Sequence, residues 1–155
     1  MRCTGDESLH CPADDPFLVK YLRSRKYCVE ETFQMIRNYF SVRQRLPEFF
    51  ADLSPHTVPY RRIIVDNGLI LVCKGRDPQG RTVFVIKFGA WNTGICSVTD
   101  LFRAGLVMAE WNLENQESQI RGVVGVIDLK GFHLSHLACF TPFLIKKVSH
   151  IVQVR

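Results

Sequence analysis

Three side chains that could bind a metal ion recur at intervals of three residues in the last quarter of the chain. His133, His136 and Cys139 have the spacing of one helix face, and imidazole and thiolate are ligands that zinc prefers. A structural zinc site normally has four protein ligands, and no fourth ligand accompanies these three. The spacing alone therefore does not favour a metal site, and we expect neither a bound metal nor another cofactor.

Asp128 is the other residue that could take part in chemistry, because it ends an apolar run as the acidic residue of a Walker B segment does. Such a segment works with a phosphate-binding loop, and the chain contains neither G-x-x-x-x-G-K-[ST] nor G-x-G-x-x-G. The G-x-S-x-G and H-E-x-x-H motifs of other enzyme classes are absent as well. The sequence therefore predicts a protein that is not an enzyme.

The apolar run itself predicts a strand. Residues 123–127 are too uniformly apolar for a half-solvated strand and too short for a membrane span. We therefore expect a central strand that is covered on both faces and that leaves the sheet between Asp128 and Gly131.

Helix signals occur in the first third of the chain. Asp14 and Asp15 can cap a helix whose first turn contains Pro16. Residues 1–13 then form a flexible tail, and residues 51–60 form a joint to the next unit. A second helix is predicted from four apolar residues at helical spacing: Val29, Phe33, Ile36 and Phe40.

A hairpin and a long helix are predicted next. The β-rich runs 69–73 and 82–88 flank turn residues 76–80, and Ser97 begins a helix with a capping-box pattern. Almost everything on that helix is apolar apart from one polar stripe: Asp100, Arg103, Glu110 and Glu114. So wide an apolar arc fits a fully buried core helix, or a helix that contacts a sheet on one side and an apolar cavity on another.

The composition is that of a globular chain of one domain, with 155 residues, 46% hydrophobic residues and a formal net charge of +5. The longest uncharged window, 131–145, contains His, Ser, Thr and Pro and cannot cross a membrane, and acidic residues interrupt the N-terminus before a signal peptide could form. The six cysteines include no C-x-x-C pair, so we expect reduced thiols that mostly pack. No nucleic-acid-binding signature is present, and we expect no nucleic-acid partner.

Residues 121–136, with Asp-Leu-Lys-Gly inside them, resemble the DLxG segment of the CRAL-TRIO domain, the lipid-carrier family of the alpha-tocopherol and retinaldehyde binding proteins. Residues 15–27 resemble the leading helix of that family, "DxxLLRFLRARKF", and residues 43–47 resemble its "WRxxxP". Residues 75–83 match its hairpin with a D-x-x-G turn, and residues 141–147 match the helix after the DLxG strand. These segments stand in the family's order, so together they are more specific than any one motif.

The resemblance implies an α/β fold in which a small helical subdomain, residues 14–50, precedes a mixed, largely parallel sheet flanked by helices. Residues 61–155 would form part of the lipid-binding domain, because the family's helix from Thr141 leads into a further strand, more cavity wall and a gate helix. We therefore expect a C-terminally truncated domain that does not retain ligand as residues 1–155 alone. The end Gln153-Val154-Arg155 is also what codons close to a splice donor would encode, which suggests an unspliced intron or a truncated gene model.

The resemblance also implies eight residues in the wall of a lipid cavity. They come from the helix after Ser97, the DLxG strand and a later helix: Phe102, Gly105, Ala109, Val123, Gly125, Ile127, Ile151 and Val152. Gly105 and Ala109 are small and four residues apart, which would leave room for a ligand or would equally mark close contact between helix and strand. Apolar area would supply the affinity, since hiding on the order of 400 Å² of lipid surface gains about 10 kcal/mol.

Arg43 matches a family position that contacts a phosphoinositide headgroup. Other basic residues, such as Lys146 and Lys147, could add to a face for anionic membranes or could simply be solvated charges. We therefore expect a monomeric cytoplasmic carrier in peripheral contact with membranes. It would bind a small hydrophobic lipid, such as a tocopherol, a retinoid or a phospholipid, and exchange it at phosphoinositide-containing surfaces. The alternatives are a ligand-free adaptor for protein interactions and a non-functional fragment.

Overall fold

The computed structural model describes residues 14–153. The predicted tail at residues 1–13, which includes Cys3 and Cys11, lies outside the described residues, as do Val154 and Arg155. No helix in the described part of the chain combines the length and the hydropathy needed to cross a membrane.

Three helices precede the sheet: α1 (Asp15–Ser24), α2 (Val29–Arg45) and α3 (Pro47–Phe50). Helix α1 begins after Asp14 with Pro16 in its first turn, as predicted, because proline suits a position whose N–H has no helical acceptor. The predicted capping is wrong, since the Asp14 side chain accepts no hydrogen bond from the helix and Asp15 lies within it. Helices α1 and α2 meet through aromatic rings, with Phe17 and Phe40 centroids 6.2 Å apart. On α2, Ile36 of the predicted apolar stripe is buried, whereas Val29 is exposed.

The predicted hairpin is confirmed. Strands β1 (Ile70–Arg76) and β2 (Thr82–Lys87) pair antiparallel. Asp77 closes the turn between them, because its carboxylate accepts the backbone N–H of Gln79 at 3.1 Å and of Arg81 at 2.7 Å. Gly80 adopts a φ of 80°, a conformation that favours glycine.

Strand β3 (Val123–Asp128) pairs parallel with β2, so the described sheet is mixed and has the order β1-β2-β3. The fold is α/β, as predicted. The expectation of a central strand covered on both faces is wrong within residues 14–153, because β3 is the edge strand of the described sheet and no described element covers most of its side chains. Val123 is 53% exposed and Ile127 is 58% exposed.

Helix α4 (Val98–Leu113) packs on the sheet and starts where the sequence predicts. The Ser97 hydroxyl accepts the backbone N–H of Asp100 at 3.0 Å and caps the helix. A π-helical turn, Arg61–Asp66, and a 3-10 turn, Phe88–Ala90, flank the hairpin. The core between these elements contains fully buried side chains: Ile63, Leu69, Ile70, Trp91, Leu101 and Ala104.

Three further helices complete the described chain: α5 (Gln116–Arg121), α6 (Leu134–Leu137) and α7 (Pro142–Gln153). Helix α7 places Ile151 in a second apolar cluster with Phe49, Phe50 and Leu106. This cluster joins α7 to α3 and α4, so the last helix closes one side of the space beneath the sheet.

Four cysteines lie in the described residues, and all are free thiols. Burial raises the pKa of the Cys96 thiol, which packs in the core, whereas Cys73 is exposed on β1. The expectation of packed cysteines therefore holds for Cys96 and is wrong for Cys73.

Candidate functional site

An apolar cavity of about 560 Å³ lies between α4, the sheet and α7. Six of the eight residues that the sequence assigned to a lipid cavity line it: Gly105, Ala109, Val123, Gly125, Ile151 and Val152. They come from three elements that are distant in sequence, and the fold brings them around one space. The volume lies within the range of small-molecule sites, roughly 300–1,000 Å³.

The other two predicted residues line an adjoining groove. Phe102 and Ile127 lie in an apolar groove of about 430 Å³ between β3 and α7, together with Phe88 and Phe140. Val152 lines both the groove and the cavity. All eight residues therefore line one of two neighbouring apolar spaces that share Val152, although their role in lipid binding remains a proposal.

Small residues create the space. A Cβ atom at Gly105 would meet only the Ile70 side chain within 4 Å, and a Cβ atom at Gly125 would meet nothing. Close backbone contact between helix and strand, the alternative explanation for Gly105, is therefore not what this fold shows. Two glycines on facing elements leave room that larger side chains would fill.

Sequence reasoning missed part of the lining. The sheet contributes Ile70, Phe84 and Ile86, and the regular alternation of Phe84 and Ile86 along β2 was the signal that could have identified them. Helix α4 contributes four more residues: Leu106, Met108, Asn112 and Leu113. Asn112 lies seven residues after Gly105, so helical periodicity places it on the same face.

The polar stripe of α4 faces the helices that precede the sheet. Arg103 donates to the backbone oxygen of Ala51 at 2.8 Å, and Glu114 forms an ion pair with Lys20 of α1 at 3.2 Å. Between them, Glu110 binds Arg43 of α2. One side of α4 therefore walls the cavity, while the other side holds the residues that precede the hairpin.

The Arg43 guanidinium lies within this junction. Its Nη1 donates to Glu110 Oε1 at 2.5 Å and to Tyr39 Oη at 2.6 Å, and the guanidinium stacks 5.0 Å from the Phe50 ring centroid. Burial alone would lower the pKa of the Arg43 guanidinium, but Tyr39 and Glu110 raise it above the usual value. Arg43 is therefore a cation with an internal carboxylate partner, and its binding to a phosphoinositide remains a prediction.

The histidines considered for metal binding and Asp128, considered for a Walker B role, form hydrogen bonds within the protein. His136 is buried, its Nε2 lies 2.7 Å from the Trp91 oxygen, and its Nδ1 accepts the His133 N–H at 2.9 Å. Asp128 accepts the N–H of Lys130 at 2.9 Å and so stabilises the turn after β3. Within residues 14–153, no three His, Cys, Asp or Glu side chains come together in an arrangement that could hold a metal ion.

Comparison with known proteins adds to this geometry. Residues 66–155 match the CRAL/TRIO domain. The chain is similar to an alpha-tocopherol transfer protein-like protein of Mus musculus, with 33% identity over 140 residues, which are 90% of this chain and 40% of that protein. It is also similar to clavesin-1 of Xenopus laevis, with 31% identity over 133 residues, which are 86% of this chain and 40% of that protein.

The Homo sapiens alpha-tocopherol transfer protein-like protein is 33% identical over 146 residues, which cover 94% of this chain and 42% of the relative. The chain thus spans about two fifths of the length of the curated relatives it matches. The family match covers more than half of the residues and includes the sheet, α4 and α7. The chain therefore belongs to the CRAL/TRIO domain family.

Proposed function

We propose that this protein is a cytoplasmic carrier that binds a small hydrophobic lipid in the cavity between α4, the sheet and α7. The observation that carries the proposal is the lining, in which every residue except Asn112 is apolar. Such a site gains affinity from the apolar area that it hides, at about 25 cal/mol per Å². Binding and release break no covalent bond, so the proposal needs no catalytic residue.

The relatives support a lipid as the cargo. Two of them have alpha-tocopherol transfer in their names, and they match this chain over about nine tenths of its length. A tocopherol combines a long apolar tail with a polar end, which suits an apolar cavity beside the apolar groove at Phe102 and Ile127.

We further propose that exchange takes place at phosphoinositide-containing membranes and that Arg43 contacts the headgroup. The Arg43 side chain is partly exposed and permanently charged, which suits a phosphate ligand. Because the guanidinium already binds Glu110, a headgroup would compete with this carboxylate. Membrane binding and the junction between α2 and α4 would then be coupled.

The test is to isolate the native, full-length protein from cells that express it and to identify the lipids in an organic extract by mass spectrometry. We expect one class of small hydrophobic lipid in nearly stoichiometric amount. The Gly105→Phe variant, isolated in parallel, is the control and should carry much less. An extract with no lipid enriched over this control would favour the ligand-free adaptor instead.

A further inference from the structure

Asn112 is the one polar side chain among the residues that line the 560 Å³ cavity. It is only 4% exposed. Within residues 14–153, its side chain forms no hydrogen bond to another protein group. The amide atoms are not completely enclosed, because the Nε of Arg103 is the only fully buried side-chain nitrogen or oxygen without a partner in that range. The amide is therefore accessible to a ligand and has no competing protein partner among the described residues.

The position of Asn112 in α4 directs it towards the proposed lipid. Asn112 lies three residues after Ala109 and seven after Gly105, so the three share one helix face. It also lines a second, more polar groove of about 410 Å³ with Thr82 and Ser118. Asn112 therefore marks the boundary between the apolar cavity and a polar groove.

The polar groups around Asn112 have partners of their own. Thr82 Oγ1 and Ser118 Oγ are 2.9 Å apart, and the Asn115 amide oxygen accepts the N–H of Glu117 at 2.9 Å. Arg76 forms an ion pair with Glu117. The Asn112 amide, with two donors and an acceptor, is the group that these contacts leave available at the cavity.

Charge restricts what the amide can bind. The lining of the cavity, as far as the structure describes it, contains no lysine or arginine. A carboxylate or phosphate drawn into this space would lose its hydration without a cation to replace it. An uncharged hydroxyl or carbonyl group would instead form a hydrogen bond with the amide, and its loss of hydration would cost less free energy.

We propose that Asn112 binds the polar end of the ligand and that the ligand is a lipid with a small, uncharged hydrogen-bonding group. The tail would run along α4 past Ala109 and Gly105 to Phe102, a distance of about 15 Å along the helix. This inference rests on the proposed carrier function and names the class of lipid that the cavity selects.

The experiment uses the full-length protein, because residues 1–155 alone are not expected to retain ligand. It compares three fluorescent probes of equal chain length by equilibrium titration: pyrene-dodecanol, dodecyl pyrene without the hydroxyl, and pyrene-dodecanoic acid. In the wild type, the alcohol should bind more tightly than the acid. The Asn112→Leu substitution should weaken binding of the alcohol relative to the hydrocarbon by about tenfold, because a site that hydrogen-bonds a polar group discriminates more strongly than an apolar one.

The matched control is Ile86→Val, which removes one methylene from the apolar wall of the same cavity. It should weaken binding of the alcohol and of the hydrocarbon equally and leave the ratio of their affinities unchanged. Thermal unfolding checks the fold of each variant, and Asn112→Ala replaces the leucine variant if that side chain does not fit.

Two results would overturn the assignment while leaving the carrier function intact. One is an unchanged relative affinity in Asn112→Leu, which would mean that the amide is solvated from the polar groove. The other is a wild-type protein that prefers the fatty acid to the alcohol. If the wild type binds none of the three probes, the carrier function and the assignment fail together.

Discussion

Gly105 on α4 and Ile70 on β1 both line the apolar cavity and adjoin each other, since a Cβ atom at Gly105 would lie 3.8 Å from Ile70 Cδ1. That distance is ordinary van der Waals contact, so a methyl group fits where an aromatic ring would occupy the space beyond it. The pair therefore provides a graded test of whether the cavity binds ligand.

Gly105→Phe should abolish most lipid uptake, because its ring projects into the proposed ligand volume. Gly105→Ala should retain uptake and should raise the free energy of unfolding by about 0.5–1 kcal/mol, since alanine is the better helix former. Fluorescent-lipid titration and urea unfolding of both variants of the full-length protein measure the two effects separately. Unchanged binding by a folded Gly105→Phe protein would remove Gly105 from the site.

The ion pair between Arg43 and Glu110 allows the membrane proposal to be separated from simple destabilisation. Arg43→Gln and Glu110→Gln both remove the pair. Each should lower the free energy of unfolding by about 1–3 kcal/mol, because a hydrogen bond between charged groups is lost. On vesicles containing phosphoinositide they should act in opposite directions. Arg43→Gln removes the cation and weakens binding, whereas Glu110→Gln frees the guanidinium and strengthens it.

Vesicle flotation at several salt concentrations measures this difference, which should shrink as salt rises because the attraction is electrostatic. Glu114→Gln is the matched control, since it breaks a more exposed pair with Lys20 on the same helix. If Arg43→Gln and Glu110→Gln both weaken vesicle binding to the same extent, the pair serves only to hold α2 against α4.

Local signals predicted most of the elements that position the site. Pro16 favours the start of α1, Asp77 and Gly80 fix the hairpin turn, and Ser97 caps the start of α4, because each acts on the backbone close to it in sequence. These features need only a few neighbouring residues, so a single sequence contains enough information to identify them.

Features that depend on distant residues were harder to predict. The apolar composition of β3 suggests covered faces, but covering depends on other elements, and Ile127 is largely exposed in the described fold. Helical periodicity on α4 likewise did not separate Trp111, which is 65% exposed, from Asn112, which is buried beside it. The resemblance to a family, and not periodicity, brought the eight cavity residues together.

Gly89 provides a test of the close contact between the turns that follow β2 and β3. A Cβ atom at Gly89 would lie 2.0 Å from the backbone oxygen of Lys130, so no side chain fits without moving one of the turns. Gly89→Ala should lower the free energy of unfolding by about 3 kcal/mol, the upper range for overpacking. Gly75→Ala is the control, because a Cβ atom there meets nothing within 4 Å, so this variant should not lose stability and could gain up to about 1 kcal/mol as alanine replaces glycine within a strand. Equal stability of the two variants in urea unfolding would show that the turns separate easily.

The exposed edge of β3 predicts how residues 1–155 behave when purified alone. Strand β3 pairs with β2 on one side and has no partner among the described residues on the other, and Val123, Val126 and Ile127 are exposed. An apolar edge strand of this kind binds hydrophobic dyes and pairs with other chains. We expect strong fluorescence of an added naphthalene sulfonate dye and association that increases with concentration in analytical ultracentrifugation.

Val126→Lys tests this cause, because it places a charge on the edge strand at a residue that does not line the cavity or the groove. A charged edge strand disfavours pairing with another chain, so the variant should remain monomeric at concentrations at which the wild type associates. Its dye fluorescence should fall only slightly, since Val123 and Ile127 remain exposed. A wild-type chain that is monomeric, unfolds cooperatively and does not bind the dye would show that the edge of β3 is protected, and the expected association would then be wrong.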